Sequence, residues 1–340
     1  MAKALPRGAA LITPVLVLLV AGFLAPSLIM FALSLRNYDG LSGMGDSWTL
    51  VNYLSILSDG YYLEIIARTL LLGFGVALVS LILGFPLALF ILRTTPRMQT
   101  VALLLVIFPL LLNIVVRSFG WMVILAPKGI LNQTLLDLGL IAQPLDLMYN
   151  TLGVMIGLVQ IYVPFMVLML VPALQAIPAD VEAAASILKA GRARIFFTIT
   201  LPLALPGIVT GSILVFVLTI SALVTPRMLG GPTYQVMATQ IYDEFMTNLD
   251  WPSGAALAFV LTAIALGLIW GANRLSARVT RGLPDDGEST GLEARPCGDA
   301  DPRLSEPADD RDHARGLFQN HLSDDPAAGL DAGLVPRRAE

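Results

Sequence analysis

Six apolar stretches, each long enough to cross a bilayer, constrain this chain more than any other feature. Crossing about 30 Å of hydrocarbon takes about 20 mostly apolar residues, because each helical residue rises about 1.5 Å. The stretches predict helices at about 11–35, 65–92, 100–125, 151–174, 207–224 and 254–273. The expected fold class is therefore an all-α integral membrane protein with six transmembrane helices. The first stretch follows Lys3 and Arg7, as a secretory signal would. Its apolar run is too long for a signal core, and no small-x-small cleavage site follows, so it reads as a retained helix.

Composition agrees with lipid as the solvent. Only 14% of residues are charged, against about a quarter in soluble domains. The charge is also divided along the chain. Residues 1–281 hold 15 Lys+Arg and 11 Asp+Glu, a net of +4, while residues 282–340 hold 6 and 14, a net of −8. The reading is a membrane domain over 1–281 and an acidic, disordered cytoplasmic tail over 282–340, where Asp, Pro, Gly and Ala dominate without a sustained period. Cys297, His313 and His321 all lie in that tail. The membrane domain thus has no disulfide, no Cys/His metal site and no histidine acid–base chemistry.

Positive charge sets an orientation. Lys3, Arg7, Arg93, Arg97, Lys189, Arg192, Arg194, Arg274, Arg278 and Arg281 flank one side of the helices. Arg36, Lys128 and Arg227 flank the other, with Arg68 and Arg117 near helix ends. The positive-inside rule then places both termini in the cytoplasm. It also makes the segment between the fourth and fifth helices the longest cytoplasmic loop of the membrane domain. On the opposite side, "KGILNQTLLDLGLIAQPLD" predicts a short amphipathic helix, since Leu131, Leu135 and Leu138 share a face. Asp243 and Glu244 there read either as solvated loop charges or as cation attractors.

Several chemistries are absent from the sequence. There is no G-x-x-x-x-G-K-[ST] phosphate loop, no H-E-x-x-H and no G-x-S-x-G. The apolar stretches also lack the interior carboxylates that proton- or cation-coupled carriers use as relays. A secondary carrier or channel and a membrane enzyme are both weakened alternatives. The polar residues that remain are few. Arg117 lies about 17 residues, or roughly 25 Å, into the third stretch. It reads as a snorkelling interfacial side chain or as part of an outer gate. Asn113 and Gln160 read as helix–helix glue or as lining of a pathway. Pro86, Pro109 and Pro164 are expected to kink their helices.

The cytoplasmic loop is unusual in an oily chain. In "DVEAAASILKAGRAR", Asp180 is a plausible N-cap and Glu182 suits the helix dipole. Ala183, Ala184 and Ala185 favour a helix with a smooth face that can enter a partner's cleft. Gly191 permits a turn before the basic Arg192 and Arg194. A generic loop helix lying on the headgroups is the competing reading.

The longer segment "EAAASILKAGRARIFFTITLPLALPG" resembles the EAA loop of ABC importer permeases. Glu182, Ala183 and Ala184 match its head, and Ile199, Leu201 and Pro202 its end. The family's glycine stands six residues after the glutamate, where this chain has Leu188; Gly191 comes three residues later. "NYLSIL", "LGFPLALFIL", "RSFGWMVIL", "LVQIYVPFMVLML", "TPRMLGG" and "DWPSGAALAF" are similar to permeases of the spermidine/putrescine type. The resemblance covers residues 10–275. It implies a type I importer fold and coupling through Glu182, Ala183, Ala184, Ala185 and Gly191. It also implies two ATP-binding subunits that bind the ATP and Mg, a second permease subunit, favoured to be a paralogue, and an extracytoplasmic solute-binding protein. The setting it implies is the bacterial inner membrane, and no cofactor or nucleic acid is expected on this chain.

Overall fold

The computed structural model describes residues 7–40, 45–187 and 189–280. The acidic tail expected to be disordered over 282–340 lies outside the described residues. The described residues form helices joined by short connections, with a single isolated bridge between Arg36 and Trp48. In chain order the helices are α1 (Arg7–Ser34), α2 (Val51–Ser58), α3 (Gly60–Leu92), α4 (Pro96–Ile107), α5 (Ile114–Leu125), α6 (Ile130–Asp137) and α7 (Thr151–Gln175). They continue as α8 (Ala179–Ile187), α9 (Arg192–Ile195), α10 (Leu201–Leu203), α11 (Leu205–Ile220), α12 (Met237–Met246) and α13 (Trp251–Thr280).

Among the described residues, five helical segments are long and apolar enough to cross a membrane, and a bent pair, Arg192–Leu203 with Leu205–Ile220, makes a sixth when taken as one span. The short amphipathic helix expected around Leu131, Leu135 and Leu138 is α6, although Leu138 lies just past its end and is exposed.

Helices α3, α7 and α11 form the centre of the bundle. Their shared core includes Val76, Ala88, Leu158, Met166, Leu170 and Val215, all fully buried. Close approach makes this possible. A Cβ placed on Gly207 of α11 would lie 2.2 Å from the Ala173 Cβ of α7. Lipid tails are as apolar as these side chains, so helix association rests on such van der Waals fit.

The contacts also fix direction. Gly75 faces Met155 and Gly84 faces Met166, so α3 and α7 run parallel. Gly207 faces Ala173 and Gly211 faces Met166, so α11 runs against them. The bundle therefore has a Gly60 end and a Leu92 end. The α8–α10 segment sits at the Leu92 end, and α12 sits at the Gly60 end, where Met237 N donates to Thr69 Oγ1 at 2.9 Å. Helix α1 packs on α13, with Phe31 and Phe259 edge to face at 5.3 Å. Leu18 and Phe23 on its open face are more than 70% exposed, as lipid-facing side chains are.

Two breaks correct the expected helices. The stretch at 100–125 is not one helix. Pro109 lacks an N–H, and residues Phe108–Leu111 tighten into a 3-10 turn. Leu112 is extended (φ −81, ψ 141), and α5 starts afresh after it. The fifth span begins well before residue 207, at Arg192, takes a π turn at Phe196–Thr200 and bends by 64° near Ala204. Pro202 and Pro206 flank that bend. Pro86, Pro164 and Pro172, by contrast, sit inside unbroken helices.

Candidate functional site

The Leu92 end presents the alanine-rich helix. Helix α8 spans Ala179–Ile187, so Asp180 lies inside its first turn and not before it. Ala183 and Ala184 are exposed and Ala185 is half-buried. Ile187, on the same helix, is 81% exposed. Glu182 belongs to α8 by backbone.

The turn after α8 is made differently from the expectation. Gly191 is the N-cap of α9 with φ −66 and ψ 152, a conformation open to any residue. The left-handed position is Lys189, at φ 58. Ala190 N donates to Ala185 O at 3.2 Å and Lys189 N to Ser186 O at 3.0 Å. This pair of bonds is a Schellman cap, whose left-handed residue is usually glycine. Here a lysine bears that strain, and Gly191 serves as a helix start.

A second region lies between α3, α4, α5 and α7, around a cavity of about 560 Å³. Its walls are apolar apart from Trp121 and Gln160. Trp121 Nε1 donates to Gln160 Oε1 at 3.3 Å, so Gln160 ties α7 to α5 while also facing the cavity. Trp121 as its partner was not read from the sequence. Asn113 does not act as glue within the chain. It is exposed, and its Oδ1 accepts from Val115 N at 2.8 Å as the cap of α5. A helix restarted among apolar residues has unpaired N–H groups, and this amide satisfies one of them.

Arg117 lies in the first turn of α5. Its Nε and Nη1 are buried without hydrogen-bond partners. The guanidinium thus packs against protein through these two nitrogens, and snorkelling alone does not describe it. Next to it, the Ser118 and Thr225 hydroxyls share a hydrogen bond of 3.1 Å between α5 and the segment after α11.

The Gly60 end carries a polar network that the sequence reading missed. Asp243 and Glu244 are not solvated loop charges, because both lie on α12 and Glu244 is 5% exposed. Gln240 Nε2 and Asn248 Nδ2 donate to the two Glu244 oxygens at 2.7 and 2.9 Å. Tyr61 OH donates to Gln240 Oε1 at 2.9 Å. The i, i+4 spacing of Gln240 and Glu244 was the available signal, since it puts both on one face of α12, with Asn248 just beyond the helix end. Arg227 and Gln235 both donate to Asp243 Oδ2, at 2.7 and 3.0 Å. Hydrogen bonding to Asp243 raises the Arg227 pKa above its ordinary value.

Gln240→Leu is expected to lower the unfolding midpoint in detergent by several degrees. The change leaves a buried Glu244 oxygen unpaired, at about 1–3 kcal/mol, while the half-exposed Tyr61 hydroxyl can turn to solvent. Asn248→Ala should cost less, because Asn248 is exposed. Equal midpoints for Gln240→Leu and the parent would show that the network adds nothing to stability.

A six-span bundle with a break-rich third span and an exposed helix at one end is the architecture of ABC transporter transmembrane domains. A bacterial ABC transporter that imports the acidic polysaccharide alginate superposes with a TM-score of 0.63 at 19% identity, over 80% of this chain and 95% of that one. The same system with a periplasmic protein bound to alginate pentasaccharide gives 0.61 at 20% identity, over 80% and 94%. By sequence, residues 80–281 match the family described as "Binding-protein-dependent transport system inner membrane component". The spermidine/putrescine transport system permease PotB of Escherichia coli is 33% identical over 74% of this chain and 92% of its own length. PotB of Haemophilus influenzae is 30% identical over 75% and 90%. The inner membrane ABC transporter permease YdcU of Escherichia coli is 31% identical over 65% and 74%. The chain belongs to this permease family and is a transport subunit of the ABC importer class. Family membership favours a transport subunit over the carrier and enzyme alternatives.

Proposed function

We propose that this chain forms one half of the translocation pathway of an ATP-driven importer for small nitrogenous solutes, of the polyamine (spermidine/putrescine) type. A separate ATPase energises it through residues 180–202. The supporting observation is α8, a helix with exposed alanines at the end of the bundle where α3 and α7 terminate. Arg93, Arg97, Lys189, Arg192, Arg194 and Arg274 cluster toward that end, which supports placing it in the cytoplasm together with both termini. The membrane is the bacterial inner membrane.

Glu182 to Ala185 dock on an ATP-binding subunit, and Gly191 starts the helix that returns the chain to the bilayer. Two such subunits bind ATP and Mg, and their closure reorients this permease against its paralogue by rigid-body rocking. Gln160 and Arg117 border the pathway, and Asn113 shapes the helix break beside it. A solute-binding protein delivers cargo at the Gly60 end. The polyamine assignment draws on the PotB relatives, which are permeases of spermidine/putrescine transport systems.

The test is uptake by proteoliposomes containing this chain, its paired permease and the ATPase, with the solute-binding protein added outside. Labelled spermidine or putrescine should accumulate only with ATP inside and binding protein outside. Accumulation without ATP would reject an ATP-driven importer. ATP-dependent uptake of other solutes with exclusion of polyamines would reject the substrate class alone.

A further inference from the structure

Connecting segments usually run over a protein's surface, because buried backbone must find partners for its polar groups. The segment 225–236 between α11 and α12 does the opposite. Thr225, Leu229, Tyr234 and Val236 are all buried. The segment holds a π turn at Pro226–Gly230, a form frequent at functional sites.

Single polar contacts fasten it to four parts of the bundle. Thr225 Oγ1 shares a hydrogen bond of 3.1 Å with Ser118 Oγ of α5. Leu229 O accepts from Tyr149 N, just before α7, at 2.8 Å. Gln235 O accepts from Arg68 Nη1 of α3 at 3.2 Å, and the same guanidinium lies over the Tyr234 ring at 5.1 Å. Arg227 Nη1 donates to Asp243 Oδ2 of α12 at 2.7 Å. Helices α3, α5 and α7 therefore cannot part at the Gly60 end without breaking or dragging this segment.

The fastened form carries costs of its own. Tyr149 is left-handed at φ 60, a conformation that non-glycine residues rarely take. It packs on left-handed Gly231 (φ 73), where a Cβ would lie 2.6 Å from Tyr149 Cδ1. Gln235 Nε2 donates to Pro232 O and Asp243 Oδ2, which leaves Gln235 Oε1 and Asp243 Oδ1 buried without a donor. Strained backbone persists only where surrounding contacts hold it, and it collects at switch regions. The strongest such contact is Arg227–Asp243, the one ion pair on this segment among the described residues. The Arg227 side chain is 40% exposed, so it can exchange Asp243 for water.

We propose that 225–236 is a strap that closes the Gly60 end of the resting permease, with Arg227–Asp243 as its lock, and that it opens in each transport cycle. The opening in the cycle rests on the importer reading above; the lock does not.

The test uses the full chain with Cys297→Ser and Leu229→Cys, in vesicles with its paired permease and the ATPase. A membrane-impermeant maleimide is supplied on both sides, so orientation does not matter, and labelling of position 229 is read by mass spectrometry. Labelling at rest should be slow, because Leu229 is buried. Arg227→Gln should raise the rate about five-fold, the shift in a local opening equilibrium expected from losing one part-exposed ion pair. Arg227→Lys should keep it near the parent rate. The rate should rise likewise while the vesicles accumulate labelled putrescine with ATP inside and binding protein outside. Val76→Cys, in the buried core of α3, should stay unlabelled in every case. An unchanged rate in Arg227→Gln overturns the lock. Labelling of Val76→Cys in that variant also overturns it, in favour of a general stabilising role. An unchanged rate during active uptake overturns the strap while the importer reading stands. Failure of uptake with a raised rate in Arg227→Gln counts against the importer reading and for the lock.

Discussion

Tryptophan at both Ala183 and Ala184 is expected to abolish ATP-driven uptake and to release the ATPase, with the membrane bundle still folded. Both alanines are exposed on α8, so bulk added there does not enter the core of the described bundle. The cost in helix propensity is about half a kcal/mol for each position. A docking cleft shaped for alanine is affected far more. Obstructing the centre of a small interface costs about 4 kcal/mol, or roughly a thousand-fold in affinity. Copurification of the ATPase reads the first effect, uptake by proteoliposomes the second, and an unchanged unfolding midpoint shows that the bundle survives. Retention of the ATPase together with undiminished uptake would remove α8 from the coupling role.

Gly207→Leu should do the opposite, losing the fold before any question of coupling. The Cβ alone would sit 2.2 Å from the Ala173 Cβ, with Met169 O at 3.5 Å. Neither neighbour is the movable end of a long side chain, so α11 must separate from α7. Overpacking a tight core costs about 1–3 kcal/mol, and a leucine adds three further carbons beyond the one that already clashes. Separation also opens the contacts of Ala204, Ile208 and Val215, which are buried in the same core. The expected result is a steep fall in monodisperse protein and in unfolding midpoint. Gly207→Ala gives the finer measurement. It should destabilise by itself and recover when combined with Ala173→Gly, because the pair keeps the same number of methyl groups at the contact. Absence of recovery would place the cause outside this contact.

Much of the architecture was legible before any coordinates. The amphipathic spacing of Leu131, Leu135 and Leu138 marked α6, and the alanine run marked α8. The site was legible in part. Gln160 was singled out as an amide in an apolar helix, and it does join two helices beside a cavity. Asn113 was singled out by the same reasoning and proved to be a helix cap. The two amides are alike in composition of surroundings. They differ in whether the backbone next to them is broken, which depends on Pro109 and on what α4 and α5 pack against. The turn after α8 was misplaced for a similar reason. Glycine is the usual left-handed residue, but the two carbonyls that close the cap fix its position at Lys189.

Sequence sufficed for the solvent, the number of spans and the absence of an ATP-binding loop on this chain. These are local properties: an apolar run of given length crosses a bilayer, whatever its neighbours, and a phosphate loop is a contiguous motif. Tertiary structure alone decided where the spans break, which glycines carry the helix contacts and which charges are buried. Glu244 is buried beside Gln240, which it accepts from and which itself bonds Tyr61, 179 positions before Gln240 in the chain. Burial of a charge and tolerance of a broken helix both depend on groups brought from distant parts of the chain to satisfy them, and only the folded bundle brings those groups together.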